Sequence, residues 1–221
     1  MTGLSLPLMG ALLSLTGCNS VSTNVDGSGA EGIQSAFFIE EDNYYGSDGL
    51  IQIYMVSFSD ACVAYEGYHD ELNDMEWLNW DLLDEVEDLW NEYFPETFEE
   101  TVITLRVDDP DDNIAGLDYN GVDWNDGLTD DDETKAAYTR YKQKLDDDYW
   151  EAWAFGGDKD EYVETWVTDD GDLTVSGHTE NASIRGTFTS TLAETDDGDD
   201  VGDVTFRFNA DRCQEFESEV F

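Results

Sequence analysis

The side chains best suited to chemistry in this sequence are carboxylates, and their densest gathering lies between Asp108 and Asp126. Asp108, Asp109, Asp111, Asp112, Asp118, Asn120, Asp123, Asn125 and Asp126 put hard oxygen donors into one stretch broken by Pro110, Gly116 and Gly121. Such donors suit calcium, which takes roughly six to eight oxygens. Asp109, Asp111, Asp118, Asp123 and Asp126 are the candidate ligands. The EF-hand register does not fit. Counted from Asp109, Ile114 stands where that loop needs Gly, and Asn120 where it needs a bidentate Glu. The stretch either folds its oxygens onto one ion or stays a solvated acidic loop.

Other chemistries find less support. A glycosidase needs two acids roughly 5 to 9 Å apart in a cleft, and among 54 Asp and Glu residues adjacency selects no pair. A nucleophilic triad needs a histidine base. His69 opens a helical pattern, and His178 lies near a turn, where histidine usually faces solvent. The sequence has no Gly-x-Ser-x-Gly elbow, phosphate loop, Rossmann glycine pattern, His-Glu-x-x-His or zinc-type cysteine spacing. No catalytic residue is assigned, and calcium is the only cofactor with a case. Trp77, Trp80, Trp90, Trp150 and Trp153 could stack on sugars, but at helical spacing they read more simply as core.

Composition narrows the partners. With 54 acids against nine Lys and Arg, the formal charge is −45. Nucleic acid and anionic headgroups would be repelled. At 40% hydrophobic and 13% aromatic, with seven Trp, the chain can still bury a core, so it is not a disordered acidic polymer. The charge reads as a solvated surface suited to salty water or divalent cations.

The N-terminus carries a different signal. Met1 to Gly17 has no ionisable side chain, and Leu4 to Leu15 is mostly Leu, Met, Ala and Gly. That matches the apolar core of a secretory signal and is short for a membrane span. Its end, Leu15-Thr16-Gly17-Cys18, resembles the lipobox of bacterial lipoproteins, although no Lys or Arg precedes Arg106. The resemblance implies cleavage before Cys18, lipidation of its sulfur and anchoring in the cell envelope, with Asn19 pointing to the outer membrane. The other reading is an ordinary signal peptide beside a cysteine. Once exported, Cys62 and Cys213 are expected to pair, closing a loop of about 150 residues worth on the order of 5 kcal/mol; the alternative is two buried free thiols.

The elements that must position these residues follow from periodicity. Residues 18–32 are rich in Ser, Gly, Asn and acids and read as a flexible tether. Ile33 to Glu40 and Leu50 to Phe58 read as a strand pair, and Thr101 to Val107 as a strand. Leu72, Met75, Leu78, Leu82, Val86, Leu89 and Tyr93 step by three and four, predicting one amphipathic helix over 70–94 that starts at His69 or Asp70 and stops at Pro95. A second helix is predicted to start at Thr129 or Asp130 and end at Gly156-Gly157, with Tyr138, Tyr141, Leu145, Tyr149 and Ala152 at helical spacing. Its Lys135, Arg140, Lys142 and Lys144 would lie beside the acidic first helix. Beyond Tyr162, strands are expected at 162–168, 173–178, 182–193 and 201–210, with tight turns at Asp169–Asp172 and Asp196–Asp199. The fold class is α+β: an antiparallel sheet, sandwich or partial barrel, with two inserted helices and one disulfide. The chain divides into a leader at 1–17, the tether at 18–32 and one β-rich domain at 33–221 with a helical insertion at about 69–157.

A wider resemblance rests on Ser59-Asp60-Ala61-Cys62, Gly116-Leu117-Asp118-Tyr119, Ile184-Arg185-Gly186-Thr187-Phe188 and Val204-Thr205-Phe206-Arg207-Phe208-Asn209-Ala210, followed by Cys213. Together with the lipobox, these resemble a family of uncharacterised secreted lipoproteins of myxobacterial and related bacteria. The resemblance implies a β-rich domain with a Cys62–Cys213 bridge and supplies no activity. The expected function is a lipid-anchored, non-enzymatic envelope protein, monomeric, attached to the membrane through its N-terminal lipid, and binding a protein or carbohydrate partner that the sequence does not name. The alternatives are a calcium-dependent carbohydrate- or protein-binding module and an exported carboxylate-dependent hydrolase.

Overall fold

A computed structural model describes residues 25–44, 48–74, 82–95, 97–107, 114–120, 134–142, 163–179, 182–194 and 200–213. The strands are β1 (Ser35–Tyr44), β2 (Asp48–Val56), β3 (Phe98–Val107), β4 (Asp118–Asn120), β5 (Thr134–Lys142), β6 (Val163–Thr179), β7 (Ser183–Glu194) and β8 (Asp200–Arg212). The helices are α1 (Ala61–Asp74) and α2 (Leu82–Tyr93), both between β2 and β3. Pairing runs β6–β5–β3–β2–β1–β8–β7 and returns to β6, with β4 also on β6. All contacts are antiparallel except β1–β8, a parallel seam of two residue pairs, Phe37 with Asp211 and Phe38 with Arg212. The result is an α+β fold whose sheet curls into a partial barrel closed at one weak seam.

Strand alternation sorts the apolar residues between two cores. Ala36 and Phe38 of β1, Ile51, Ile53 and Met55 of β2, Ile103 and Leu105 of β3, and Phe206, Phe208 and Ala210 of β8 share the inner cluster. Phe37, Ile39, Val56 and Phe98 point the other way and pack with Ala61, Tyr65 and Phe94 beneath the helices. Both faces of Ser35–Glu40 in β1 are therefore buried, which explains its nearly continuous apolar run. Each fully buried Phe or Ile contributes about 1.5–3 kcal/mol.

Two helices are present among the described residues: α2 lies within the predicted 70–94 span and ends just before Pro95, whereas α1 starts earlier than periodicity placed it. The first begins at Ala61, a full two turns before His69. Asp60, at φ 58°, turns the chain, and the Ala64 N–H donates to its carbonyl at 3.2 Å. Among the described side chains, Ala61, Tyr65 and Leu72 of α1 and Val86 and Leu89 of α2 are buried. The start went unseen because tyrosine and alanine, rather than leucine, form the α1 stripe. The second predicted helix is overturned at its centre, where Thr134–Lys142 forms β5 between β3 and β6. Its tyrosines, three apart, favour the helical period, and long-range pairing with β3 and β6 overrides it. The register sets Arg140 opposite Glu100, Lys142 opposite Phe98 and Lys135 opposite Thr104 on β3, so these three residues are sheet positions and not members of a helix. Lys144 and residues 143–157 lie outside the described residues.

Two further expectations change. The Asp-Gly turn at Asp169–Asp172 is absent, and β6 continues through it with a register shift between Thr168 and Asp170. Gly171 serves close packing instead, since a Cβ there would lie 2.6 Å from the Thr189 carbonyl oxygen. The tether also ends early. Residues 26–28 lie along the free edge of β8 below the seam: the Asp26 N–H donates to the Arg207 carbonyl at 2.9 Å, the Arg207 N–H to Asp26 at 2.8 Å, and the Thr205 N–H to Ser28 at 2.9 Å. Val25, Ala30 and Ile33 pack onto the inner core. The Gly-Ser composition permits this approach: Gly27, at φ +134°, leaves no room for a Cβ against the Thr205 carbonyl. We refer to residues 25–33 as the strap.

Candidate functional site

Chemistry-bearing side chains converge where the seam meets α1. Cys213 directly follows β8, and its N–H donates to the Phe38 carbonyl at 2.9 Å. Its sulfur is bonded to Cys62 of α1, with the Cα atoms 5.6 Å apart and 151 residues between them in sequence. The expected bridge is therefore present, and it fastens the last strand to the first helix. Glu66 follows Cys62 by one helical turn on the same face. Its Oε1 lies 3.1 Å from Cys62 Sγ and 3.3 Å from Cys213 Sγ. These three residues have the spacing of a metal cluster, but the sulfurs are joined to each other and offer no thiolate to an ion.

A second grouping lies inside the barrel at the same seam. Glu40 of β1 falls on the inner face with Ala36 and Phe38, by the period of two. Arg212 of β8 does so with Phe208 and Ala210. Arg212 Nε stands 3.2 Å from Glu40 Oε2, and His178 Nε2 of β6 stands 3.4 Å from Glu40 Oε1. The Glu40 and His178 side chains are 3% and 1% exposed. His178 therefore does not face solvent as its place near a turn suggested, and Phe38 packs edge-on to its ring at 6.4 Å. His178 Nδ1 is buried without a hydrogen-bond partner. Removing one member of a buried ionic group costs about 3–5 kcal/mol because a charge is left uncompensated. With its carboxylate sealed from solvent, the trio links β1, β6 and β8.

The helical cover is aromatic and holds one more buried acid. Tyr65 hydroxyl donates to the Glu100 carboxylate, and Tyr65 packs against Phe37, Tyr54, Phe58 and Phe94. Trp90 packs at a tilt against Phe94 with ring centres 4.2 Å apart, so of the five tryptophans suited to sugar stacking it belongs to the packing; the other four lie outside the described residues. His69 is half-buried inside α1. Burial lowers its pKa below the ordinary histidine value, and the Asp70 carboxylate opposes that shift. Tyr93 hydroxyl donates to Glu71 at 2.6 Å, and this bond, with some burial and nearby carboxylates, pushes its pKa up to about 12.

Of the five candidate calcium ligands, only Asp118 is among the described residues. It is exposed at the edge of β4 and accepts a 2.7 Å hydrogen bond from the Thr174 hydroxyl of β6. Asp109, Asp111, Asp123 and Asp126 lie outside the described residues, as does Cys18. Among the described residues, no helix is long and apolar enough to cross a membrane. No protein-family model, curated protein or solved structure matches this chain.

Sequence reasoning found the disulfide because Cys62 and Cys213 are the only cysteines after Cys18. It missed Glu66 and the Glu40 trio. The i, i+4 spacing of Cys62 and Glu66 was a usable signal once α1 began at Ala61. The trio, drawn from three strands, left none.

Proposed function

We propose that this chain is an exported, lipid-anchored protein of the bacterial cell envelope, whose barrel is a non-enzymatic binding or display domain. The observation that carries the reading is the Cys62–Cys213 bridge, which joins two distant cysteines across the barrel seam. Bridges of this kind form and persist in oxidising compartments. The leader-like run ending in Leu15-Thr16-Gly17-Cys18 supplies the route there, and two or three acyl chains hold a protein on a membrane where one does not. The described side chains agree with a scaffold. Glu40, His178 and Arg212 are spent on holding strands, and the disulfide consumes the thiols.

The test is expression of the full chain in a Gram-negative host, followed by membrane fractionation and mass spectrometry of the N-terminal peptide. The expected result is an acylated Cys18 at the mature terminus and membrane recovery that Cys18→Ser abolishes. A mature chain with unmodified Cys18, recovered in the soluble fraction, would overturn the reading.

A further inference from the structure

The contact between Glu66 and the disulfide has a consequence for how that bond opens. Thiol–disulfide exchange begins with a thiolate approaching a sulfur in line with the bond, and it ends with a second thiolate leaving. Negative charge spreads over three sulfurs in the transition state. Glu66 Oε1, 3.1 Å from one protein sulfur and 3.3 Å from the other, sits against that developing charge whichever sulfur is attacked. Cys213 is 2% exposed and Cys62 is only half-buried, so Cys62 Sγ is the accessible target and Cys213 Sγ the leaving group. Helical geometry fixes the guard in place, because residues 62 and 66 share one face of α1.

We propose that Glu66 is an electrostatic guard that keeps thiolate reductants from opening the Cys62–Cys213 clasp. In the guarded step the reductant's thiolate forms a bond to Cys62 Sγ, the Cys62–Cys213 bond breaks, and Cys213 leaves as a thiolate. The reductant's second thiolate then attacks its own sulfur in the mixed disulfide, the bond to Cys62 Sγ breaks and Cys62 leaves as a thiolate; the reductant, now a disulfide, has supplied the two electrons that reduce the bridge. Unit charges a few ångströms apart in a partly solvated site interact strongly enough to change such a rate by an order of magnitude. The guard is local, not a result of the overall −45 charge, and removing it unlocks the bond without unfolding the barrel. This inference does not depend on lipidation.

The experiment measures reduction of the native protein at pH 8 by dithiothreitol, following thiol release, in the full chain and in E66Q. A neutral phosphine, tris(hydroxypropyl)phosphine, provides the second reductant, since its attack brings no net negative charge. The expected result is a roughly tenfold faster reaction of E66Q with dithiothreitol and less than a threefold change with the phosphine. E85Q removes the same charge from the exposed surface of α2 and is expected to stay within twofold of wild type with both. Three results would overturn the proposal. They are an unchanged dithiothreitol rate in E66Q, an equal acceleration in E85Q, and an equal acceleration by both reductants, which marks general loosening of the fold.

Discussion

At the residue scale, the acids of this chain divide by what surrounds them. Among the described residues most are exposed, but Glu99 is half-buried where β3 begins, with its N–H donating to the Ser57 hydroxyl at 2.8 Å. Burial first, and the Glu31 carboxylate second, push its carboxyl above the ordinary carboxylate range. The sign follows from linkage. With the folded value above the unfolded one, the native chain holds a proton that the unfolded chain has lost, so stability falls as pH rises through that window and stays lowered above it. E99Q is therefore expected to be more stable than wild type at pH 7, with a higher urea midpoint, and indistinguishable from it at pH 3. Equal midpoints at both values would refute that account. Glu40 is buried with Arg212 Nε 3.2 Å and His178 Nε2 3.4 Å from its carboxylate oxygens.

At the element scale, the strap is the segment whose chemistry is least like its reputation. Its Gly, Ser and acids read as a free linker, yet three backbone hydrogen bonds fix it to β8. The G27A variant sets a Cβ 1.9 Å from the Thr205 carbonyl oxygen at a φ that suits glycine. We expect it to dislodge the strap, speeding hydrogen exchange of the Thr205 and Arg207 amides at least tenfold and lowering stability by about 1–3 kcal/mol. S28A leaves the backbone conformation alone and is expected to change neither. If the two variants exchange alike, the strap is not held by the Gly27 approach.

The same scale shows what was legible in advance. Strands with clean alternation or many β-branched residues, such as Leu50–Phe58 and Thr101–Val107, emerged within a few residues of β2 and β3. Segments where tertiary pairing overrides the local pattern did not. Thr134–Lys142 carries tyrosines at the helical spacing of three and still adopts the strand that β3 and β6 demand. Gly171 looked like a turn residue because sequence cannot distinguish a glycine that bends the chain from one that lets another strand approach. The site was legible only in its cysteines. Glu66 depended on knowing where α1 starts, and the trio depended on the ring of strands.

For the whole molecule, the −45 charge sets the conditions under which all these contacts count. Raising monovalent salt from about 0.05 M to 1 M shrinks the Debye length to roughly 3 Å and removes most repulsion between surface carboxylates. Thermal unfolding is expected to move up by several degrees, at about 2–4 °C per kcal/mol for a chain of this size. Differential scanning calorimetry in sodium and in potassium chloride should give the same shift, since screening does not depend on the ion's identity. An unfolding temperature that stays flat would mean the acids are already spaced widely enough not to oppose folding.

The seam also dictates when this barrel can be finished. The first strand lies beside the last, so Phe38 and Glu40 are made early in synthesis and must wait for Arg212 and Cys213 before their partners exist. Strands β2 and β3 can assemble on β1 as soon as they emerge, because their pairings are sequential. Ring closure has the longest loop to close and comes late for that reason. A nascent chain interrupted before its final strand thus carries an open edge and a buried acid without its arginine, and such fragments are expected to be degraded or to aggregate rather than fold.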